Sequence, residues 1–283
     1  MHSAVRLFVV LIVTVLATTA CSRTSFFYHR IPTLINWAID DYLTFDKQQQ
    51  AEFDVALTDL LDWHQTEELP KYVDLLDRLI TKMGSSSPLT VQDMTQWQAE
   101  ADRYSEALQR QAVRSLVGLV PSLSTNQHQE FREALDKKQT ELERKYADRS
   151  DERYRKDAID NLEDNLSDYL GRLTEAQKAD INVAAKSMIR YDSVWLERRK
   201  HWFEGFYALI KNPGPDAEDS ILQYLAGSER PPAPEYVHNN QVIMQAMANV
   251  LNARTDKQNR KLISKLTNLR DDLATLIVHE HGV

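Results

Sequence analysis

The chain has almost none of the residues on which stapled or turn-rich proteins depend. It holds one cysteine in 283 residues, which excludes an internal disulfide framework and any cysteine-based zinc site. Seven glycines and nine prolines are too few for an all-β sandwich, with its dense turns, or for a disordered chain. Positive charge is in the minority: 34 Lys and Arg face 42 Asp and Glu, a formal net charge of −8. A general nucleic-acid binder needs a basic footprint, so that class is set aside. After Cys21 no segment is apolar for long enough to span a bilayer.

The one long apolar stretch stands at the start. Arg6 precedes an apolar run from Leu7 to Ala17, followed by small residues and Cys21. A charged start, an apolar centre and a small-residue cleavage zone read as a secretory signal peptide over residues 1–20. The run is shorter than the roughly 20 apolar residues of an ordinary transmembrane helix. The cysteine ends the zone, in Leu16-Ala17-Thr18-Thr19-Ala20-Cys21. This resembles a bacterial lipobox, with Thr18 where Leu is usual. The resemblance implies that Cys21 is acylated with palmitate-type chains and becomes the mature N-terminus. The alternative is an ordinary signal peptide cut nearby, leaving a free thiol. Ser22, in place of Asp, implies by resemblance to bacterial sorting rules a place at the outer membrane. Each buried CH₂ adds about 0.8 kcal/mol, so several acyl chains would hold a periplasmic body to that membrane permanently.

Five segments share one opening. They are Asp46-x-x-Gln49-x-x-x-Phe53, Thr90-x-x-Asp93-x-x-x-Trp97, Ser124-x-x-Gln127-x-x-x-Phe131, Thr174-x-x-Gln177-x-x-x-Ile181 and Thr255-x-x-Gln258-x-x-x-Leu262. Leu89, Leu123 and Leu173 stand just before three of them. The pattern is a capping box: the first side chain accepts from an orphan backbone N–H, and the residue three places on reaches back. Each motif predicts a helix start. Their uneven spacing excludes a regular solenoid.

The segments that follow carry helical periodicity. Leu262, Leu266, Leu269, Leu273 and Leu276 form one stripe, and Ile159, Leu162, Leu166, Tyr169 and Leu173 another. Tyr191, Trp195, Trp202 and Phe206 make an aromatic stripe; Leu57, Leu60, Leu61 and His64 share a face before Pro70. Breaks are predicted at Gly84-Ser85-Ser86-Ser87-Pro88, at Pro121 and at Asn212-Pro213-Gly214-Pro215. Pro70, inside a helical pattern, should kink or split its helix. Gly227 to Pro234 reads as a linker. The expectation is an all-α multi-helix bundle of seven to nine helices, several long and amphipathic. A body over residues 21–226 is followed by a C-terminal helical hairpin over 235–283 packed on it.

Two resemblances follow from these motifs. Cys21, Trp37, Asp40-Asp41-Tyr42, Trp63-His64 and Glu68-Leu69-Pro70-x-Tyr72 resemble an uncharacterised family of proteobacterial lipoproteins, a domain of unknown function. The likeness covers about Cys21 to Ile210 and implies a location and an all-helical build rather than an activity. Leu173-Thr174-Glu175-Ala176-Gln177, and Leu123-Ser124-Thr125-Asn126-Gln127 with Ser for Thr, resemble the LTxxQ motif of Spy-type periplasmic chaperones. Leu43-Thr44 departs from it, since Lys47 stands where Gln belongs. The cap role of the motif explains it equally well.

Trp63, His64, Glu68 and Tyr72 form the densest candidate site. His64 and Glu68, four apart, can face one metal or share a proton, yet one His and one carboxylate are at most half a tetrahedral site. The plainer reading packs Trp63 and Tyr72 in the core and gives His64 a neighbour to bond. Trp195, Arg198, Arg199 and Trp202 form the second candidate, beside Glu197, Lys200 and His201. They read either as a basic-aromatic surface for an acidic partner or a glycan, or as an ion-paired helix face over a core stripe. Glu235-x-x-His238 lacks the second such pair that a di-iron bundle needs. His279 and His281 are terminal. No zincin, nucleophile-elbow, P-loop or dinucleotide motif occurs, so neither a metal nor a cofactor is expected.

These readings lead to a non-enzymatic, outer-membrane-anchored periplasmic lipoprotein that binds partner proteins or unfolded clients through helical surfaces, as a chaperone or adaptor. The first alternative is a structural accessory subunit of an envelope assembly with one fixed partner. The second is an envelope enzyme using His64 and Glu68, which requires both in an open cleft. No nucleic-acid partner is expected; the membrane is reached through the lipid on Cys21.

Overall fold

All five capping motifs open helices. Asp46, Thr90, Ser124, Thr174 and Thr255 each accept the backbone N–H three residues on, and the side chain there accepts the N–H of the capping residue. The computed structural model describes residues 28–227 and 232–278, and these contain helices and turns but no strand. In order, the helices are α1 (Ile31–Asp40), α2 (Lys47–Trp63), a π turn (His64–Glu68), α3 (Leu69–Gly84), α4 (Val91–Leu116), a 3₁₀ turn (Val117–Ser122), α5 (Thr125–Tyr146), α6 (Asp151–Leu170), α7 (Glu175–Ser187), α8 (Asp192–Lys211), α9 (Ala217–Gly227), α10 (Pro234–Asn252) and α11 (Asp256–Val278).

With α2 and α3 counted as one helix continuous through the π turn, the described residues hold ten helices, more than the seven to nine expected. The excess has two sources. Short helices such as α1 and α9, of 10 and 11 residues, have too few turns to show a period. Between the start at Thr174 and the break at Asn212, where no interruption was predicted, the helix is broken at Met188–Tyr191, without glycine or proline. There Asn239 of α10 brackets Ile189, accepting its N–H at 2.8 Å and donating to its carbonyl at 2.7 Å. Pro70 does not split its helix either; the chain stays helical through a wider turn.

The main core gathers Leu69, Leu76 and Met83 from α3, Leu166 and Leu170 from α6, Ile181 from α7, Val250 from α10 and Leu262, Leu266, Leu273 and Leu276 from α11. Over residues 235–283, where a hairpin was expected, α10 packs on α7 and α4 while α11 packs on α3 and α6. A second cluster joins Phe53 and Leu57 to Leu119, and a third joins Val120 to Ile210 and Ile221. The adjacent residues Leu119 and Val120 thus pin the 3₁₀ turn into two clusters at once. Ile35 and Ile39 lay α1 on the second cluster.

Two glycines are needed where they stand. Gly171 caps α6 at φ +81°, a region that side-chain-bearing residues avoid. Gly205 of α8 lies against the ring of Tyr224 of α9, where a Cβ would collide with the phenol; that phenol donates to the carbonyl of Trp202 at 2.8 Å. Arg254 ties two helix ends, donating to the carbonyls of Leu251 and Met83, where the helix dipoles favour a cation.

Candidate functional site

The first candidate cluster falls at the π turn. Leu69 donates to the carbonyl of His64, five residues back. Pro70 has no N–H, and its ring would press on the preceding turn; the wider turn relieves both problems. The Thr66 hydroxyl donates back to the carbonyls of Asp62 and Trp63 at 3.0 and 3.3 Å. His64 and Glu68 both point inward, 5% and 1% exposed.

Tyr28 sets its phenol 2.9 Å from Nδ1 of His64, and the two rings stack at 6.0 Å. Tyr72 meets His64 edge-on at 5.5 Å and Tyr104 at 5.2 Å. Burial pushes the imidazole pKa down to about 4, so the ring is neutral at pH 7 and Nδ1 can accept the phenol proton. The Tyr72 phenol is pushed up, first by burial and then by the Glu68 carboxylate and Tyr104. Tyr104 donates to Glu100 at 2.5 Å; hydrogen bonding to Arg78 draws the Glu100 carboxyl down to about 2. Glu68 Oε1 accepts from Lys71 at 2.6 Å, while Oε2 is buried without a hydrogen bond. His64 and Glu68 therefore have separate partners, and both side chains are buried. Trp63 is half-buried beside them.

The second cluster is dispersed by its neighbours. Trp195 of α8 meets Tyr146 of α5 edge-on at 5.8 Å. Trp202 stacks on Phe206 at 5.1 Å and borders Tyr224 at 6.2 Å; its Nε1 is buried without a hydrogen bond. Arg199 covers the Phe203 ring at 4.3 Å and donates to Gln139 Oε1 at 2.6 Å, and burial lowers its pKa. Arg198 is half-buried, whereas Glu197, Lys200 and His201 are exposed. The aromatic members are packing pieces between helices rather than one open plate. His238 bonds the carbonyl of Ser187 at 2.8 Å. Among the described residues no group of three or more His, Cys, Asp or Glu could hold a metal. Cys21, His279 and His281 lie outside the described residues.

Two constellations escaped the sequence reading. The glutamines of four capping boxes pair across the fold: Gln49 with Gln127 and Gln177 with Gln258. Each carboxamide also donates to a backbone carbonyl, of Ser122, Thr44, Val250 and Arg172 respectively. The second is Arg149, between the rings of Tyr146 and Tyr154 at 5.0 and 4.7 Å. It forks onto buried Asp192 at 2.5 and 3.1 Å and reaches Asp157 at 2.9 Å. The repeated Gln three places after each cap was the available signal for the pairs. Nothing local marks Arg149.

What the molecule offers outward is different in kind. An open groove of about 470 Å³ runs along α2, lined by Ala51, Glu52, Val55, Ala56 and Asp59, with Ser115 of α4. Val55 is 64% exposed there. Val183, Ile189 and Val237 are exposed around the α7–α8 break, and Leu34 and Trp37 on α1.

No curated protein and no solved structure matches the chain. A family model matches residues 41–237, from just after α1 to the first turn of α10. That span is well over half the chain, and the protein therefore belongs to DUF6279, a family of unknown function.

Proposed function

We propose that this protein is a lipoprotein, held by acylated Cys21 on the periplasmic face of the outer membrane, that binds partner proteins or unfolded clients without catalysis. The observation that carries this reading is the contrast between inside and outside. The titratable pair best placed for chemistry, His64 and Glu68, is spent on Tyr28 and Lys71 within the fold. The open groove on α2 instead presents an exposed apolar side chain, Val55, between Glu52 and Asp59. Such a surface suits apolar stretches flanked by basic residues, which unfolded chains supply in quantity. On this reading the helices are long and amphipathic, each giving one face to the core and the other to a partner. The likeness of the motifs at 123–127 and 173–177 to those of Spy-type chaperones supports the scaffold rather than the contact, because their glutamines are buried.

The test is suppression of client aggregation by the protein at equimolar ratio, read by light scattering, with Val55→Lys as the variant. Suppression weakened by Val55→Lys supports the reading, and no suppression of any client opposes it. One stable co-purifying partner, in place of many weak ones, would favour the accessory-subunit reading.

A further inference from the structure

We infer that the outward face of α1 lies on the lipid–water interface of the membrane that carries the anchor, so that the body is held by two contacts rather than by a loose leash. The inference rests on the lipoprotein reading above and adds to it an orientation. α1 divides cleanly between two sides. Ile31, Ile35 and Ile39 turn into the core clusters. Leu34 and Trp37, three apart, share the opposite, exposed side with Arg30, Thr33 and, at the far end, Asp40. Trp37 is 66% exposed, the highest value among the large apolar side chains described, and Leu34 is 41% exposed.

Three observations select a bilayer as the occupant. The first is distance: Ile31 is the tenth residue after Cys21, and a chain of that length spans at most about 35 Å. A diacylated Cys21 therefore keeps α1 close to the headgroups. The second is charge. In a chain of net charge −8, residues 22–39 contain Arg23 and Arg30 and no acid; the first are Asp40 and Asp41. The basic residues thus stand on the Cys21 side and the acids at the far end of α1, so the end nearest the anchor complements anionic phospholipid. The third is side-chain type. Trp is the residue best suited to the headgroup level, its ring apolar and its N–H polar, and Phe26 and Phe27 stand in the same segment. A single weak contact does not hold a protein on a membrane, but one added to a lipid anchor fixes its orientation.

The test uses the full mature protein purified from its own membrane, with its intact mass recorded. It is reconstituted into vesicles of phosphatidylethanolamine and phosphatidylglycerol containing phosphatidylcholine brominated near the top of the acyl chain. Bromine quenches only tryptophans at the interface. The chain has five tryptophans, so the expected result is partial quenching that disappears in Trp37→Phe and weakens in Leu34→Asn. Both substitutions are at exposed positions, and an unchanged far-UV spectrum verifies the fold. An acylated protein with no quenching, or with equal quenching in Trp37→Phe, overturns the inference and leaves the anchor standing. An unmodified mass at Cys21 overturns the anchor and the inference with it.

Discussion

Gln177 and Gln258, 81 residues apart, bond to each other twice: Nε2 of Gln177 donates to Oε1 of Gln258 at 3.2 Å, and Nε2 of Gln258 donates to Oε1 of Gln177 at 2.9 Å. Each oxygen also accepts the N–H of its own cap, from Thr174 and Thr255, both at 2.9 Å. With the carbonyls of Val250 and Arg172 taken as well, both carboxamides make all four of their hydrogen bonds while 0% and 4% exposed. A cap residue has thereby become a clamp that fixes the start of α7 against the start of α11. Gln177→Leu orphans a cap N–H, the Val250 carbonyl and one half of Gln258, and should cost about 2–4 kcal/mol in urea unfolding. A double-mutant cycle with Gln258→Leu should return a coupling of about 1 kcal/mol or more. Additive single effects would show that the pair is two independent caps.

His64 should make stability depend on pH. Its folded pKa is about 4 against an ordinary 6.5, so between those values the unfolded chain binds a proton that the folded chain does not. Stability therefore falls as pH drops from about 6.5 to about 4, then stops responding to this group. The change is roughly 3 kcal/mol at about 1.4 kcal/mol per unit. Glu100, with its carboxyl held near 2 by Arg78, takes over below, its contribution lost as pH falls from about 4.5 towards 2. The midpoint of urea unfolding followed from pH 7 to pH 4 should flatten in His64→Gln. An unchanged slope would place the titration elsewhere.

Glu68 and Lys71 make an unequal pair. Glu68 is buried with one oxygen unbonded, whereas the Lys71 side chain is 47% exposed. Removing the acid releases a cation that water can take up; removing the cation strands a buried carboxylate. Lys71→Met should therefore cost up to about 3 kcal/mol, and Glu68→Met should be neutral or stabilising by about 1 kcal/mol. Thermal midpoints of the two variants decide it, and the reverse order would mean that Glu68 earns its place by stability.

Gly205→Ala should destabilise by about 1–3 kcal/mol, because the new methyl displaces Tyr224 and loosens α9 from α8. In a Tyr224→Ala background the same change should turn mildly stabilising, since Ala exceeds Gly in helix propensity by about 1 kcal/mol. Chemical denaturation of the four proteins checks the reversal. A cost that persists without the ring would locate the strain in α8 itself.

Helix starts were the most legible feature of the chain. Asp46, Thr90, Ser124, Thr174 and Thr255 advertise themselves because a capping box is a contact within four residues, visible in any four-letter window. The leucine stripe of α11 was legible for a similar reason, as its period repeats over several turns. The candidate sites were not. At Trp63-His64 and Trp195–Trp202 the core reading was the plainer one, but a surface reading stood beside it, because a stripe tells which residues share a face and not what lies opposite. Tyr28 and Gln139, the partners that settle His64 and Arg199, lie 36 and 60 residues away.

Short-range chemistry in the sequence determined that this chain is helical and where five of its helices begin. Tertiary structure decided the rest. Met188–Tyr191 breaks a helix without glycine or proline where Asn239, from a distant helix, takes up both the N–H and the carbonyl of Ile189. Pro70 fails to end one because the packed neighbours of His64 and Glu68 hold the helix through a wider turn. In both places the local preference amounts to a few kcal/mol at most, and contacts from distant parts of the chain outweigh it.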